Sequence, residues 1–118
     1  MPAASGEPLV SVVIPARQSA RYLRGAIASV LAQSYPAVEC IVRDGGSTDG
    51  STAILESFGE RIRWHSEPDD GPFEAIETGW AEAHGDILAW TNADDRYLPS
   101  TIARAVAAFA AHPEADVV

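Results

Sequence analysis

Two hydrophobic patterns alternate along residues 9–118. Short apolar runs rich in β-branched residues, "LVSVVI" (9–14), "VECIVR" (38–43), "RIRWHS" (61–66) and "DILAWT" (86–91), read as strands. Between them apolar residues recur every three or four positions, which is helical spacing. The stretch 19–33 places Leu23, Ala26, Ile27, Val30 and Leu31 on one face, with Ser19 as N-cap and Pro36 barring continuation. A second helix runs from the turn "GGSTDGS" (45–51) to about Phe58, capped by Ser47 or Asp49. Residues 73–84 carry Phe73, Ile76, Trp80 and Ala83 on one face. Residues 99–112 form a fourth helix with Pro99 near its start, and "ADVV" (115–118) begins a fifth strand.

Strands alternating with helices of 10 to 15 residues specify an α/β fold: a parallel sheet covered by helices on both faces, a three-layer α/β/α Rossmann-like arrangement. The domain is expected over 9–118, after a disordered tail at 1–8, and the cut-off fifth strand reads as the front part of a longer protein. In such sheets ligands bind beyond the carboxyl ends of the strands. That rule selects "PARQ" (15–18), "DGGSTDG" (44–50), "EPDDG" (67–71) and "NADD" (92–95).

Composition narrows the chemistry. Residues 1–65 hold six Arg against six acids; residues 66–118 hold two Arg against eleven acids, so the whole net charge of −9 lies in the second part. An acidic chain without lysine argues against nucleic acid; it suits a site that handles cations or, for most of the acids, a merely solvated acidic face. There is no apolar run of transmembrane length and no secretion signal at the start. Cys40, the single cysteine, sits in an apolar run and reads as a small core residue. Trp64, Trp80 and Trp90 likewise read as core, and His65, His84 and His112 lack metal-ligand spacing.

Asp44 ends a strand directly before two glycines, where a carboxylate can accept N–H groups from a ligand or cap the next helix. Asp94 and Asp95 are costly as neighbours unless a cation or hydrogen bonds neutralise them. A hard divalent ion does so, and Mg²⁺ typically combines one or two carboxylates with substrate phosphates. The expectation is a split: Asp94 meets the metal, and Asp95 points toward a sugar or the loop. Without a metal, Asp95 would cap the following helix.

These loops in this order, "DGGSTDG", "SEPDDG" and "NADD", resemble those of family 2 glycosyltransferases of the GT-A fold, over essentially all of 9–118. They are similar to those of bacterial members that build surface polysaccharides. The resemblance implies metal-dependent, inverting transfer of a sugar from a nucleotide diphosphate donor, a UDP-sugar for preference, to a carbohydrate or lipid-linked acceptor. It implies Mg²⁺ or Mn²⁺ as cofactor, with Asp94 as the metal ligand. Pro15, Ala16 and Arg17 would flank the base, Asp44 would read its edge, Asp70 and Gly71 would lie by the nucleotide, and Asn92, Ala93 and Asp95 would complete the donor site. The general base is expected beyond residue 118, so this piece alone would bind donor without transferring sugar. The expected location is the cytoplasm, with membrane association left to the full-length protein.

This sequence departs from the family pattern in four places. Arg17 and Gln18 stand where Tyr and Asn are frequent, Gly45 where a second Asp is, Asn92 at the first Asp of the metal motif, and Glu77 where Asn is common. Two alternatives stay open. A nucleotidyltransferase shares a similar sheet and metal carboxylates, and a degenerate nucleotide-binding domain without activity would suit the substitutions.

Overall fold

The computed structural model describes residues 7–114. In chain order it contains strand β1 (Val10–Ala16), helix α1 (Ala20–Leu31), β2 (Val38–Asp44), α2 (Ser51–Ser57), a 3₁₀ turn (Gly59–Arg61), β3 (Arg63–Ser66), α3 (Pro72–Ala81), β4 (Ile87–Trp90) and α4 (Thr101–Ala111). The strands are parallel in the order β3-β2-β1-β4. The chain builds outward from β1 to β3, then returns to add β4 on the other side of β1. That reversal opens a crevice beyond the carboxyl ends of β1 and β4, where polar loops can diverge around a ligand. The expected strand at 115–118 and residues 1–6 of the expected tail lie outside the described residues. Pro8 is described, and its carbonyl accepts the Tyr35 hydroxyl.

β1 is buried along its whole length because helices cover both faces. Val10, Val12, Ile14 and Ala16 face one side, packed with Leu23, Ile27 and Val30 of α1, Leu55 of α2 and Ile102 of α4. Val13 faces α3. A Cβ on Gly79 would stand 2.7 Å from both Val13 methyl carbons, so glycine sets how closely α3 crosses β1. The result is the three-layer α/β/α arrangement, and no described helix is long and apolar enough to cross a membrane.

Some local expectations are corrected. Strand four is shorter than 86–91 and, among the described residues, pairs only with β1; Leu88 and Trp90 are 47% and 43% exposed. Trp90 is therefore not a core residue. Beside it, between β4 and α4, lies an apolar groove of about 490 Å³ lined partly by Trp80, Val106 and Phe109. Phe73, expected on the buried face of α3, is 80% exposed; Ile76 is buried as expected, and Ala75 and Gly79 are buried with it. Helix four begins two residues after Pro99, and Gly59 (φ +58°) turns the chain through the 3₁₀ segment before β3.

At the amino-terminal end of the strands, Glu39 ties four elements together. Its carboxylate accepts the Ser11 hydroxyl (2.7 Å) and the His84 backbone N–H (2.9 Å), contacts the His84 ring (3.0 Å), and pairs with Arg63 (3.0 Å). Burial alone would raise its pKa, but these hydrogen bonds and the Arg63 charge outweigh it and bring the carboxyl to about 2. A depressed folded-state pKa means that the stabilisation is complete above the ordinary carboxyl range and is lost as pH falls toward 2. Ser11 is fully buried at the end of the sheet opposite the crevice, so this cluster is structural.

Glu39→Gln is expected to lower the unfolding free energy by about 1–3 kcal/mol near neutrality, since the donors around it are left weaker partners. It should also flatten the acid loss of stability between roughly pH 5 and pH 2. Urea unfolding across that range checks both; an unchanged acid limb in the variant would assign the titration elsewhere.

Candidate functional site

Register brings the candidate loops together. Ala16 pairs with Asp44, and Asp44 with Ser66, so three strands end in one row. β4 stops lower, with Trp90 opposite Val13, so residues 91–95 climb beside the end of β1. Four segments far apart in sequence thereby share one rim.

Asp44 lies beneath that rim and is 2% exposed. Its Oδ2 accepts the Ser47 N–H and the Ser66 hydroxyl, both at 2.8 Å, and its Oδ1 accepts the Ser47 hydroxyl at 2.6 Å. This carboxylate is satisfied by three donors from the protein itself. It organises the loop floor, and a ligand N–H would have to displace one of those donors to reach it. The expected caps of α2 are also rearranged. The N-cap position belongs to Gly50 (φ +95°), and Ser47 turns to Asp44. Asp49 accepts the Ser51 hydroxyl (2.6 Å) and N–H (3.1 Å) and, from α1, the Ala20 N–H (3.0 Å). Those donors, the Ser51 hydroxyl foremost, hold the Asp49 carboxyl below its ordinary range.

Two cavities open on either side of Pro15. The larger, about 310 Å³, is lined by Pro15, Gln18, Ser19 and Tyr22 on one side and by Asn92, Ala93 and Asp94 on the other. The smaller, about 230 Å³, is lined by Pro15, Ala16, Arg17, Asp69, Gly71, Pro72 and Ala75. Asp95 is turned away from both: its carboxylate accepts the Asn92 side-chain amide at 3.1 Å. The adjacent carboxylates are therefore split, one facing a cavity and one closing its own loop. Asp70 is exposed and lines neither cavity.

Several cavity residues were not singled out as site residues from the sequence, Gln18, Ser19, Pro72 and Ala75 among them; the two with most chemical weight are Asp69 and Tyr22. Asp69 Oδ1 accepts the Gly71 N–H at 3.0 Å, and among the described residues Oδ2 has no partner. Its two carboxylate oxygens stand 3.1 and 3.2 Å from where a Cβ on Gly45 would be. A glycine where an Asp is frequent thus makes room for the carboxylate of a different loop. The loop "EPDDG" was selected from the sequence, but either Asp could be the inward one; the space left by Gly45 admits Asp69, which also accepts the Gly71 N–H. Tyr22, half-exposed, stands off the apolar stripe of α1 with the Arg21 guanidinium 5.5 Å from its ring centre.

No three carboxylate, imidazole or thiol groups converge as a metal cage among the described residues. The exposed Asp94 carboxylate, alone on its cavity wall, fits a hard divalent cation that a ligand's phosphates help to hold, the usual arrangement for Mg²⁺. Cys40 is buried in the core, which pushes its thiol up to about 12 and leaves it without nucleophilic character at neutral pH.

A model of the family described as Glycosyl transferase family 2 matches residues 11–118. An uncharacterized glycosyltransferase of Rickettsia typhi is 38% identical over 95 residues, covering 80% of this chain and 30% of that protein. A PGL/p-HBAD biosynthesis glycosyltransferase of Mycobacterium bovis is 34% identical over 116 residues, covering 94% of this chain and 45% of that protein. Among solved structures, the mannosyltransferase PcManGT from Pyrobaculum calidifontis, in complex with GDP-Man and Mn²⁺, superposes with a TM-score of 0.79 at 26% identity. That match covers 88% of this chain and 33% of the other. The chain spans less than half the length of each of these three proteins.

Asp44→Asn is expected to destabilise the fold by about 2 kcal/mol or more, because it leaves buried hydroxyl and amide donors without their charged acceptor. Asp69→Asn, with an open oxygen, should stay within about 0.5 kcal/mol of the unmodified protein. Thermal unfolding of the two variants checks this; equal losses would overturn the division between floor and cavity.

Proposed function

Because this chain belongs to glycosyl transferase family 2, we propose that its paired cavities are the donor site of a sugar-transfer enzyme that takes a nucleoside diphosphate sugar. The observation that carries this reading is the arrangement around Pro15: an open carboxylate and a guanidinium on one side, an open carboxylate facing a tyrosine on the other. A molecule with a base at one end and a diphosphate at the other matches both in one binding event.

The smaller cavity suits the base. Arg17 lines it together with Asp69 and not with Asp94, which favours base contact over phosphate contact. The open oxygen of Asp69 calls for an N–H donor, and uracil, thymine and guanine present a ring N–H beside a carbonyl that Arg17 can meet. Adenine and cytosine present a ring lone pair there, which a carboxylate repels. A uridine diphosphate sugar is the first candidate and a guanosine diphosphate sugar the second; the structural relative with GDP-Man and Mn²⁺ supports the class of donor.

The larger cavity suits the diphosphate and the sugar. Asp94 would hold Mg²⁺ or Mn²⁺ jointly with the diphosphate, and such a cation offsets the charge that develops on the departing nucleoside diphosphate. The chain's own residues then orient the donor: Pro15 and Ala16 wall the base, Asn92 fixes Asp95 within its loop so that Asp94 alone faces the ligand, and Tyr22 covers the far side. Family membership favours sugar transfer over nucleotidyl transfer.

Thermal unfolding with UDP, GDP or ADP, with and without Mn²⁺, tests the reading on the unmodified chain and on Asp94→Ala. A ligand at a hundredfold excess over Kd adds about 2.7 kcal/mol of stability. UDP or GDP should shift the midpoint upward with Mn²⁺, ADP should not, and Asp94→Ala should lose the Mn²⁺-dependent part. An ADP shift equal to the others would discard the base assignment. No shift with any nucleotide would favour the degenerate domain.

A further inference from the structure

Gln18 is the only non-glycine residue with left-handed backbone among the described residues, at φ +50°. That conformation is unfavourable for a side chain of this size and persists only where neighbours hold it. Two contacts do so. Its N–H donates to the Ser47 hydroxyl at 2.7 Å, and its side-chain Oε1 accepts the Thr48 N–H at 2.6 Å. Ser47 in turn donates to Asp44, so the loop after β1 is bolted through Gln18 to the buried floor of the site.

Its place in the chain gives this grip a consequence. Arg17, just before it, lines the smaller cavity; Gln18 and Ser19 line the larger. The backbone passes from one cavity to the other at the strained residue. We propose that Gln18 is a positioning residue that fixes the separation and relative orientation of the two cavities, so that a ligand spanning both meets them in register. The inference rests on the donor-site reading above. A ligand that fills one cavity does not sense their spacing, whereas a ligand that fills both gains its extra affinity only if the spacing is already set.

The increment between the two kinds of ligand is therefore the quantity to measure. Gln18→Gly is the informative variant: glycine adopts φ +50° without strain and keeps the N–H to Ser47, while the grip on Thr48 is lost. Calorimetric titration of uridine, UDP, guanosine and GDP, with Mn²⁺ present, gives the affinity gained from nucleoside to nucleoside diphosphate. In Gln18→Gly the nucleoside Kd should stay within about twofold, and the diphosphate Kd should weaken about tenfold, the effect of one lost hydrogen bond to a well-placed group. Amide exchange on the unmodified protein provides a second readout that needs no variant: the Thr48 amide should be protected more by UDP or GDP with Mn²⁺ than by the matching nucleoside. Nucleoside and diphosphate weakened by the same factor, or an increment left intact, would overturn the positioning role alone. Failure of both UDP and GDP to bind the unmodified protein would overturn the donor-site reading, and this inference with it.

Discussion

Asp44 is a buried carboxylate that, among the described residues, no basic side chain neutralises, and the ligand end of the sheet is built around it. Arg43, its neighbour in sequence, points to the opposite face and pairs with Glu67 at 2.8 Å, as alternation along a strand requires. Asp44 is left to be stabilised by hydrogen-bond donors, and Ser47 and Ser66 supply three of them. Removing a donor would strand charge in a low-dielectric setting, so the turn after β2 and the end of β3 are held where they are. Through Ser47 the same constraint reaches Gln18 and the loop after β1. One desolvated charge thereby aligns three strand ends.

The remaining acids at this end form a gradient of satisfaction. Asp44 has a full set of protein donors, Asp69 has one and an open oxygen, and Asp94 stands exposed on its cavity wall. Openness increases from the floor to the rim, so structural and ligand-facing roles are separated by burial and not by residue type. The same logic separates Asp94 from Asp95. Repulsion between neighbouring carboxylates is relieved by turning Asp95 onto the Asn92 amide, which leaves the other carboxylate directed at the cavity. At the opposite end of the sheet Glu39 is satisfied as completely as Asp44, and it too serves cohesion.

The parallel sheet also explains where apolar residues fail to be buried. β1 has a strand on each side and helices on both faces, and each of its residues is buried. Among the described residues β4 has a strand on one side only. Its runs of apolar residues look like those of β1, but burial depends on neighbours as well as on the residue, so Leu88 and Trp90 remain at the surface.

The sequence by itself determined the order and type of the elements, because β-branched runs and helical periodicity are local properties of the chain. It also determined that four polar loops would share one sheet edge, because parallel strands must all point the same way. Pro15, Ala16, Arg17, Gly71, Asn92, Ala93 and Asp94 were legible as cavity candidates on that ground, and the structure lines its two cavities with them. What only the tertiary structure decided was how each carboxylate spends its lone pairs. Asp44 finds Ser47 three residues on in its own turn, but its third donor, Ser66, comes within reach only once β2 and β3 pair in register. Asp69 took the inward place that Asp70 might equally have held, because Gly45 of another loop leaves space for it. The strained backbone of Gln18 depends on partners 29 and 30 residues away. Partners such as Ser66 for Asp44 and Ser47 and Thr48 for Gln18 are set by distances between segments remote in sequence, and no local pattern encodes those distances.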